Sequence, residues 1–94
     1  MITRNSKPIP ARATHPGEIL HEELHERGIK QEQFAQMIDV APAFLDNFVN
    51  GKYNLDKEFA KKLESHLKIP YEIWMNLQIE YNEDIKEIEK MPNV

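Results

Sequence analysis

Five consecutive residues, His21-Glu22-Glu23-Leu24-His25, have the His-Glu-x-x-His spacing that is typical of zinc peptidases. Histidines four residues apart share one face of a helix, and the glutamate of such a motif activates a zinc-bound water. A further zinc ligand is required, and neither His15 nor His66 lies in a second recognisable motif. A zinc peptidase is therefore a remote alternative. We predict a protein that is not an enzyme and has no catalytic residues, metal site or cofactor.

A second pattern predicts two short helices, over about Gln31–Ile38 and Pro42–Val49, joined by a turn of three residues. Apolar residues recur at helical spacing in both segments: Phe34, Ala35, Ile38, Leu45, Phe48 and Val49. The turn begins at Asp39, a residue type that tolerates the positive φ expected there. Two short helices joined in this way are typical of a helix-turn-helix unit.

Three further helices are predicted around this unit, and no segment shows the alternation of a strand. The first begins at Pro16, which suits the first helical position, runs to about Arg27, and is ended by Gly28. Asp56 is a suitable N-cap for a helix that reaches residue 66 or 67. The last covers about residues 71–90. The sequence therefore predicts an all-α fold of five helices with an extended C-terminal helix.

Length and composition fit a single small domain. The chain has 94 residues, 40% of them apolar, and no cysteine, which excludes disulfides and thiolate metal sites. No apolar run is long enough to cross a membrane, and the first 14 residues lack the apolar stretch of a signal peptide. We therefore expect a cytoplasmic protein without membrane association.

Charge is distributed unevenly along the chain. The net charge is −4, yet residues 1–15 hold three basic residues and no acidic one: Arg4, Lys7 and Arg12. Pro8 and Pro10 favour an extended segment, so we divide the chain into a flexible basic arm at 1–15 and a helical domain at 16–94. Because DNA-binding domains usually have a basic face, this acidic domain has to assemble one locally.

The third helix is the candidate for contact with DNA, because the second helix of a helix-turn-helix enters the major groove by its N-terminal end. Its predicted exposed face carries Pro42, Ala43, Asp46 and Asn47, with Phe44 at the edge. Asn47 can pair with adenine, and Ala43 and Phe44 can contact thymine methyl groups. Asp46 repels phosphate and no arginine is present for guanine, so we predict weak or A·T-biased binding that depends on backbone contacts and DNA shape. The alternative is a helix that no longer reads DNA.

Contacts with the DNA backbone are expected on both sides of this helix. Lys30 precedes the helix-turn-helix, and Lys52 and Tyr53 follow it. The basic arm is expected to lie in an adjacent groove. Each neutralised phosphate makes binding more dependent on salt, so the salt dependence of binding measures these contacts.

The last helix has an apolar stripe that is longer than a four-helix core covers. Its members recur at helical spacing: Trp74, Leu77, Tyr81, Ile85 and Ile88. An uncovered amphipathic helix usually packs on a partner, often a second copy, so we predict a homodimer with this stripe as its interface. Residues 80–90 also hold five acidic residues against two lysines. This excess indicates either a solvated face or a surface that attracts a basic protein.

Four segments, His15–Leu20, Gln31–Ala35, Asn50–Lys52 and Ile73–Gln78, resemble antitoxins of the HigA type. These are also described as plasmid-maintenance antidote proteins, and they carry an XRE-type, phage-repressor-like helix-turn-helix domain. The resemblance covers about residues 15–82, and its first and last segments are fairly specific together. It implies a five-helix fold that is usually dimeric.

The resemblance also implies a type II toxin–antitoxin system, in which the protein neutralises a small basic ribonuclease toxin and represses its own operon. It implies that Gln31 contacts the DNA backbone from a helix N-terminus. Lys30 stands where the family usually has Ser or Thr, and Asp39 stands where it usually has Gly. The third helix begins with Ala41-Pro42, where the family usually has Ser. A repressor without a toxin, and a helix-turn-helix protein that acts only through protein binding, are the alternatives.

Overall fold

The computed structural model describes residues 13–90, which form five α-helices and no strand. The helices follow the chain in this order: α1 (Pro16–Arg27), α2 (Gln31–Met37), α3 (Pro42–Val49), α4 (Lys57–Leu67) and α5 (Tyr71–Lys90). The predicted all-α fold with an extended last helix is confirmed. Only α2 ends earlier than predicted, because Ile38 has left the helical conformation with φ −100° and ψ 5°.

The boundary between arm and domain differs from the predicted one. Arg4, Lys7 and Arg12 lie outside the described residues. His15, which the prediction placed in the arm, is 3% exposed and belongs to the helical domain. Its Nδ1 accepts a hydrogen bond from the backbone N–H of Gly17 at 2.8 Å, so His15 is the N-cap of α1.

Local geometry explains where the helices end. Gly28 stops α1 with φ 69°, and Asp39 has the predicted positive φ, 60°, in the turn between α2 and α3. Asp56 caps α4, because its Oδ1 accepts from a backbone N–H of the first turn at 2.8 Å. These contacts lie within a few residues along the chain, which is why sequence patterns predict them well.

Long side chains complete two helix ends from neighbouring helices. Lys62 Nζ donates to the carbonyl oxygen of Ile38 at 3.0 Å, just after α2. The guanidinium of Arg27 donates to the carbonyl oxygen of Leu67 at 2.7 Å, at the end of α4. Cations suit helix C-termini because the last carbonyl groups have no partner within the helix. The two contacts tie α4 to α2 and α1.

The core lies between the helix-turn-helix unit and the first half of α5. Its largest fully buried members come from all five helices: Leu20, Phe34, Leu45, Phe48, Leu63, Leu67 and Trp74. Trp74 is 0% exposed, and its Nε1 has no hydrogen-bond partner among the described residues. The structure thus places Trp74 inside the protomer, where it is not available to the interface for which it was predicted.

The crossing of α1 and α3 depends on Gly17. A Cβ atom at this position would lie 2.1 Å from the carbonyl oxygen of Phe48 and 2.9 Å from Cα of Val49. Both neighbours are backbone atoms, so neither can move away by changing a rotamer. The absence of a side chain at Gly17 therefore permits the close packing that supports α3 from behind.

Among residues 13–90, no helix has both the length and the apolar character needed to cross a membrane.

Candidate nucleic-acid interface

Four of the eight predicted DNA-contact residues lie on the surface of α3. Pro42, Ala43 and Phe44 are exposed, and Asn47 is half-buried. Leu45 and Phe48, on the opposite side of the same helix, are buried in the core. The amphipathic spacing of α3 thus anchors one face and presents the other, so that the predicted contact residues share one accessible surface.

Tyr53 joins this surface through an aromatic contact. Its ring stacks on Phe44, with centroids 5.2 Å apart and planes inclined by 15°. Phe59 of α4 contacts the Phe44 ring edge-on from the inside, at 5.5 Å and 77°. The Asn47 Nδ2 donates to the hydroxyl of Tyr53 at 3.4 Å. Tyr53 therefore contacts α3 directly, in addition to following it in the chain.

The backbone of the same loop is fixed at the end of α3. The N–H of Lys52 donates to the carbonyl oxygen of Asn47 at 2.9 Å, and the N–H of Gly51 donates to that of Phe48 at 2.9 Å. Gly51 has φ 81°, a conformation that suits a residue without Cβ. These bonds set the direction in which the exposed Lys52 leaves the loop.

Gln31 and Asp46 connect α2 to α3 on the same side of the molecule. Gln31 Nε2 donates to Asp46 Oδ1 at 3.2 Å, and Asn50 Nδ2 donates to Asp46 Oδ2 at 3.4 Å. Neutral amide donors leave the negative charge of the carboxylate in place. The predicted backbone-contacting Gln31 is therefore already bonded to the acidic residue that disfavours phosphate. Lys30 lies next to it, with an exposed side chain.

His15 holds the loop after α3, a role that the sequence analysis missed. Its Nε2 lies 2.7 Å from the carbonyl oxygen of Tyr53. Its ring packs edge-on against Phe48 of α3 at 5.3 Å and against Tyr81 of α5 at 4.9 Å. Because Nδ1 accepts from Gly17, the ring hydrogen of the neutral form is on Nε2 and is donated to Tyr53.

The environment of His15 favours its neutral form. Burial lowers the pKa of His15 below its ordinary value of 6.5, although the hydrogen bond to the Tyr53 carbonyl and the nearby carboxylate of Glu18 act in the opposite direction. Glu18 also accepts from the backbone N–H of His15 at 3.2 Å. This reciprocal pattern is a capping box, and the three-residue spacing of His15 and Glu18 is its only signal in the sequence.

Gln78 is a second structural residue that the sequence analysis missed. It is 4% exposed, and its Oε1 accepts from the backbone N–H of Leu55 at 2.7 Å. Its Nε2 donates to Asn54 and Asn82 at 3.3 and 2.9 Å. Gln78 thus fastens the segment before α4 to α5. A polar residue one turn after Trp74, on the buried side of the helix, is the signal that points to it.

The remaining members of the predicted stripe on α5 are half-buried: Leu77, Tyr81, Ile85 and Ile88. Part of the Tyr81 ring is covered by its edge-on contact with the His15 ring. Ile85 and Ile88 lie on the second half of the helix, beyond the segment that carries the buried Trp74 and Gln78. A homodimer interface on this half stays a prediction.

The His-Glu-x-x-His segment lies on the outer side of α1. His21 and His25 are exposed, and Glu23 pairs with Arg27 at 2.9 Å. Within residues 13–90 no group of three histidine, aspartate or glutamate side chains is placed to hold a metal ion.

Fold and surface together define a class of protein: a helix-turn-helix domain whose second helix is exposed along one face, with an exposed lysine before the unit and another after it. The family model described as "Helix-turn-helix" (HTH_3) matches residues 20–74, and the chain belongs to this family. An uncharacterized HTH-type transcriptional regulator, YddM of Escherichia coli (strain K12), is 33% identical over 63 residues, which are 67% of either chain.

Solved structures of antitoxins have the same fold. An addiction module antidote protein of the HigA family from Coxiella burnetii is 29% identical, with a TM-score of 0.74, over 88% of this chain and 98% of that one. The Pseudomonas aeruginosa antitoxin HigA, solved with the higBA promoter, is 29% identical, with a TM-score of 0.71, over 87% and 97% of the two chains. The resemblance to HigA-type antitoxins is therefore confirmed.

Proposed function

We propose that this protein is the antitoxin of a type II toxin–antitoxin system, which binds the operator of its own operon as a homodimer and neutralises a small basic ribonuclease toxin. The observation that carries the proposal is the exposed face of α3, together with the exposed side chains of Lys30 before α2 and Lys52 after α3. It is presented by a fold that is shared with a HigA antitoxin solved with its promoter.

In the proposed complex the N-terminal half of α3 enters the major groove, as the second helix of this motif class does. Lys30 and Lys52 contact phosphates on opposite sides of the groove. Two protomers related by two-fold symmetry place their α3 helices about 34 Å apart, one turn of DNA. The operator is then an inverted repeat with that spacing. Affinity depends mainly on phosphate contacts, because α3 offers few donors to base edges.

DNA binding is tested with the region upstream of the gene, by fluorescence anisotropy over a range of salt concentrations. We expect specific binding, and the logarithm of its association constant should fall linearly with the logarithm of the salt concentration. The substitutions Lys30→Gln and Lys52→Gln should each reduce that slope by about 1, because each removes the charge that neutralises one phosphate. Lys68→Gln removes the same charge from the exposed C-cap of α4 and serves as the control. No specific binding, or an equal effect of all three variants, contradicts the proposed interface.

Toxin neutralisation is tested by co-expression with the adjacent open reading frame. A small basic toxin is expected to be drawn to the acidic stretch at residues 80–90 by charge complementarity. Growth arrest by the neighbour alone and rescue by this protein support the antitoxin. A harmless neighbour leaves a repressor without a toxin, while rescue without any DNA binding leaves a protein that acts only through protein contacts.

The homodimer is tested by sedimentation at low and high salt. Ile85→Lys introduces a charge on the half-buried stripe and should give a monomer. Ile79→Lys makes the same change at a side chain that is 51% exposed on another face of α5 and should leave the dimer intact. Equal behaviour of the two variants contradicts the interface on the stripe.

A further inference from the structure

The polar side chains on the exposed face of α3 are engaged within the protein. The carboxylate of Asp46 accepts from Gln31 and Asn50, and the amide nitrogen of Asn47 donates to the hydroxyl of Tyr53. A bidentate contact with adenine needs both ends of the Asn47 amide in the plane of the base. The rest of the exposed face is apolar and consists of the side chains of Pro42, Ala43 and Phe44.

Phe44 is packed against two other rings although it is exposed. Its ring is 36% exposed, yet it is stacked on Tyr53 on one side and met edge-on by Phe59 on another. Tyr53 itself is 42% exposed; its hydroxyl accepts a weak hydrogen bond from Asn47, and its carbonyl oxygen accepts one from His15, which holds the backbone that carries the ring. Because the ring is already ordered, contact with a ligand loses little further side-chain entropy.

In the major groove, the apolar group on a base edge is the C5 methyl of thymine. We infer that the stacked pair Phe44–Tyr53, together with Ala43, recognises thymine through this methyl group in each operator half-site. The inference rests on the proposed DNA binding and names the base that the site selects. It makes Phe44 the specificity-determining residue, and Tyr53 a positioning residue that acts through it.

Charge around the pair favours DNA over an apolar protein partner at the same place. Lys30 precedes α2 and Lys52 follows α3 along the chain, and both side chains are exposed, so they are able to attract phosphates and repel a basic protein. The acidic residues that suit a basic toxin lie instead on α5, at residues 80–90. The apolar pair therefore belongs to a helix-turn-helix unit with an exposed lysine before its first helix and another after its second, a charge that suits DNA better than a basic protein.

The test replaces thymines of the operator half-site one at a time by deoxyuridine, which keeps base pairing and removes only the methyl group. The half-site is first located by footprinting. At one or two positions we expect about a fourfold loss of affinity, which corresponds to the burial of one methyl group. Replacing cytosine by 5-methylcytosine supplies a control for the effect of a methyl group elsewhere in the site.

Variants of the protein assign the effect to the pair. Phe44→Ala should bind thymine and deoxyuridine operators equally, whereas Phe44→Leu, which keeps an apolar side chain, should retain part of the preference. Tyr53→Phe keeps the stack without the hydroxyl and should discriminate as the natural protein does. Thermal unfolding checks that each variant is folded, which the exposure of both rings leads us to expect.

Three outcomes would overturn the inference. Specific binding that is indifferent to every thymine methyl removes the recognition but leaves the proposed DNA binding intact. Discrimination that persists in Phe44→Ala assigns it to another residue. Loss of toxin binding in Phe44→Ala, with DNA binding unchanged, shows that the pair serves a protein contact. Absence of any specific DNA binding, by contrast, refutes the proposed function itself.

Discussion

Replacement of His15 should weaken the fold and the loop that carries Tyr53 together. His15→Ala removes the N-cap of α1, the hydrogen bond to the Tyr53 carbonyl, and the ring contacts with Phe48 and Tyr81. Removal of the cap and of the hydrogen bond each accounts for about 1 kcal/mol, and removal of two aromatic contacts for about 1 kcal/mol more. We expect the free energy of unfolding to fall by about 3 kcal/mol, which in a domain of this size lowers Tm by roughly 15 °C.

His15→Asn separates capping from packing. Asparagine is a good N-cap but does not reach Tyr53 or fill the space of the ring, so it should restore about 1 kcal/mol of the loss in His15→Ala. Urea unfolding followed by far-ultraviolet circular dichroism measures both variants against the natural protein. Equal stabilities of His15→Ala and His15→Asn would show that the hydrogen bond from Gly17 does not contribute.

The lowered pKa of His15 predicts that the unfolding free energy of the protein depends on pH. The folded state lowers the pKa of His15 below its unfolded value of 6.5, so the neutral ring is favoured on folding. The stability gained in this way is fully present above pH 6.5 and is lost as the pH falls through the lower, folded pKa. Protonation of Nδ1 also removes the acceptor for the N–H of Gly17.

We therefore expect the difference in unfolding free energy between the natural protein and His15→Asn to shrink from pH 7.5 to pH 5.5. The two proteins differ only at residue 15, so the comparison isolates the contribution of His15. A difference that stays constant over this range, or grows towards acid pH, would refute the assignment of a neutral His15 as the cap.

Three further predictions concern packing, charge and the fastening of α5. Gly17→Ala should lower the unfolding free energy by about 3 kcal/mol, because the new Cβ collides with backbone atoms. Gly28→Ala has free space around its Cβ but φ 69°, and should lower the unfolding free energy by about 1 kcal/mol. Urea unfolding measures both variants, and equal losses would contradict the steric argument. Asp46→Asn should tighten operator binding about threefold at low salt and have no effect at high salt, since one repulsive charge is removed. In an anisotropy titration, an unchanged affinity at low salt would place this carboxylate away from phosphates, and weaker binding would contradict the repulsion. Gln78→Leu should destabilise by about 2 kcal/mol, because the buried N–H of Leu55 loses its acceptor; a thermal melt with unchanged Tm would refute this role.

Features that depend on neighbouring residues were predictable from the sequence. The bounds of α1, α3 and α5, the cap at Asp56 and the positive φ of Asp39 all follow from patterns within one or two turns of chain. Helix periodicity also separated the buried from the exposed side of α3. Propensity, capping and φ preferences act locally, so a single sequence carries them without reference to the rest of the fold.

Partners within the fold were not predictable in this way. Trp74 belongs to an apolar stripe, and helical periodicity predicts that this stripe is buried. Periodicity does not distinguish burial in the chain's own core from burial against a second copy of the protein. The structure shows its own core. Likewise, Gln31 was expected to meet phosphate, and only the approach of α2 to α3 reveals its bond to Asp46.

The spacing of the two helices of the helix-turn-helix, each with one apolar and one exposed face, follows from the sequence alone. The construction of the exposed face depends on the tertiary structure. His15 reaches Tyr53 across 38 positions of the chain, and Gln78 reaches Leu55 across 23. Such contacts depend on how separate helices pack. Local preference does not predict them, because many different side chains are compatible with the same helix. The placement of Tyr53 against Phe44 therefore emerges only when all five helices of the described chain are assembled.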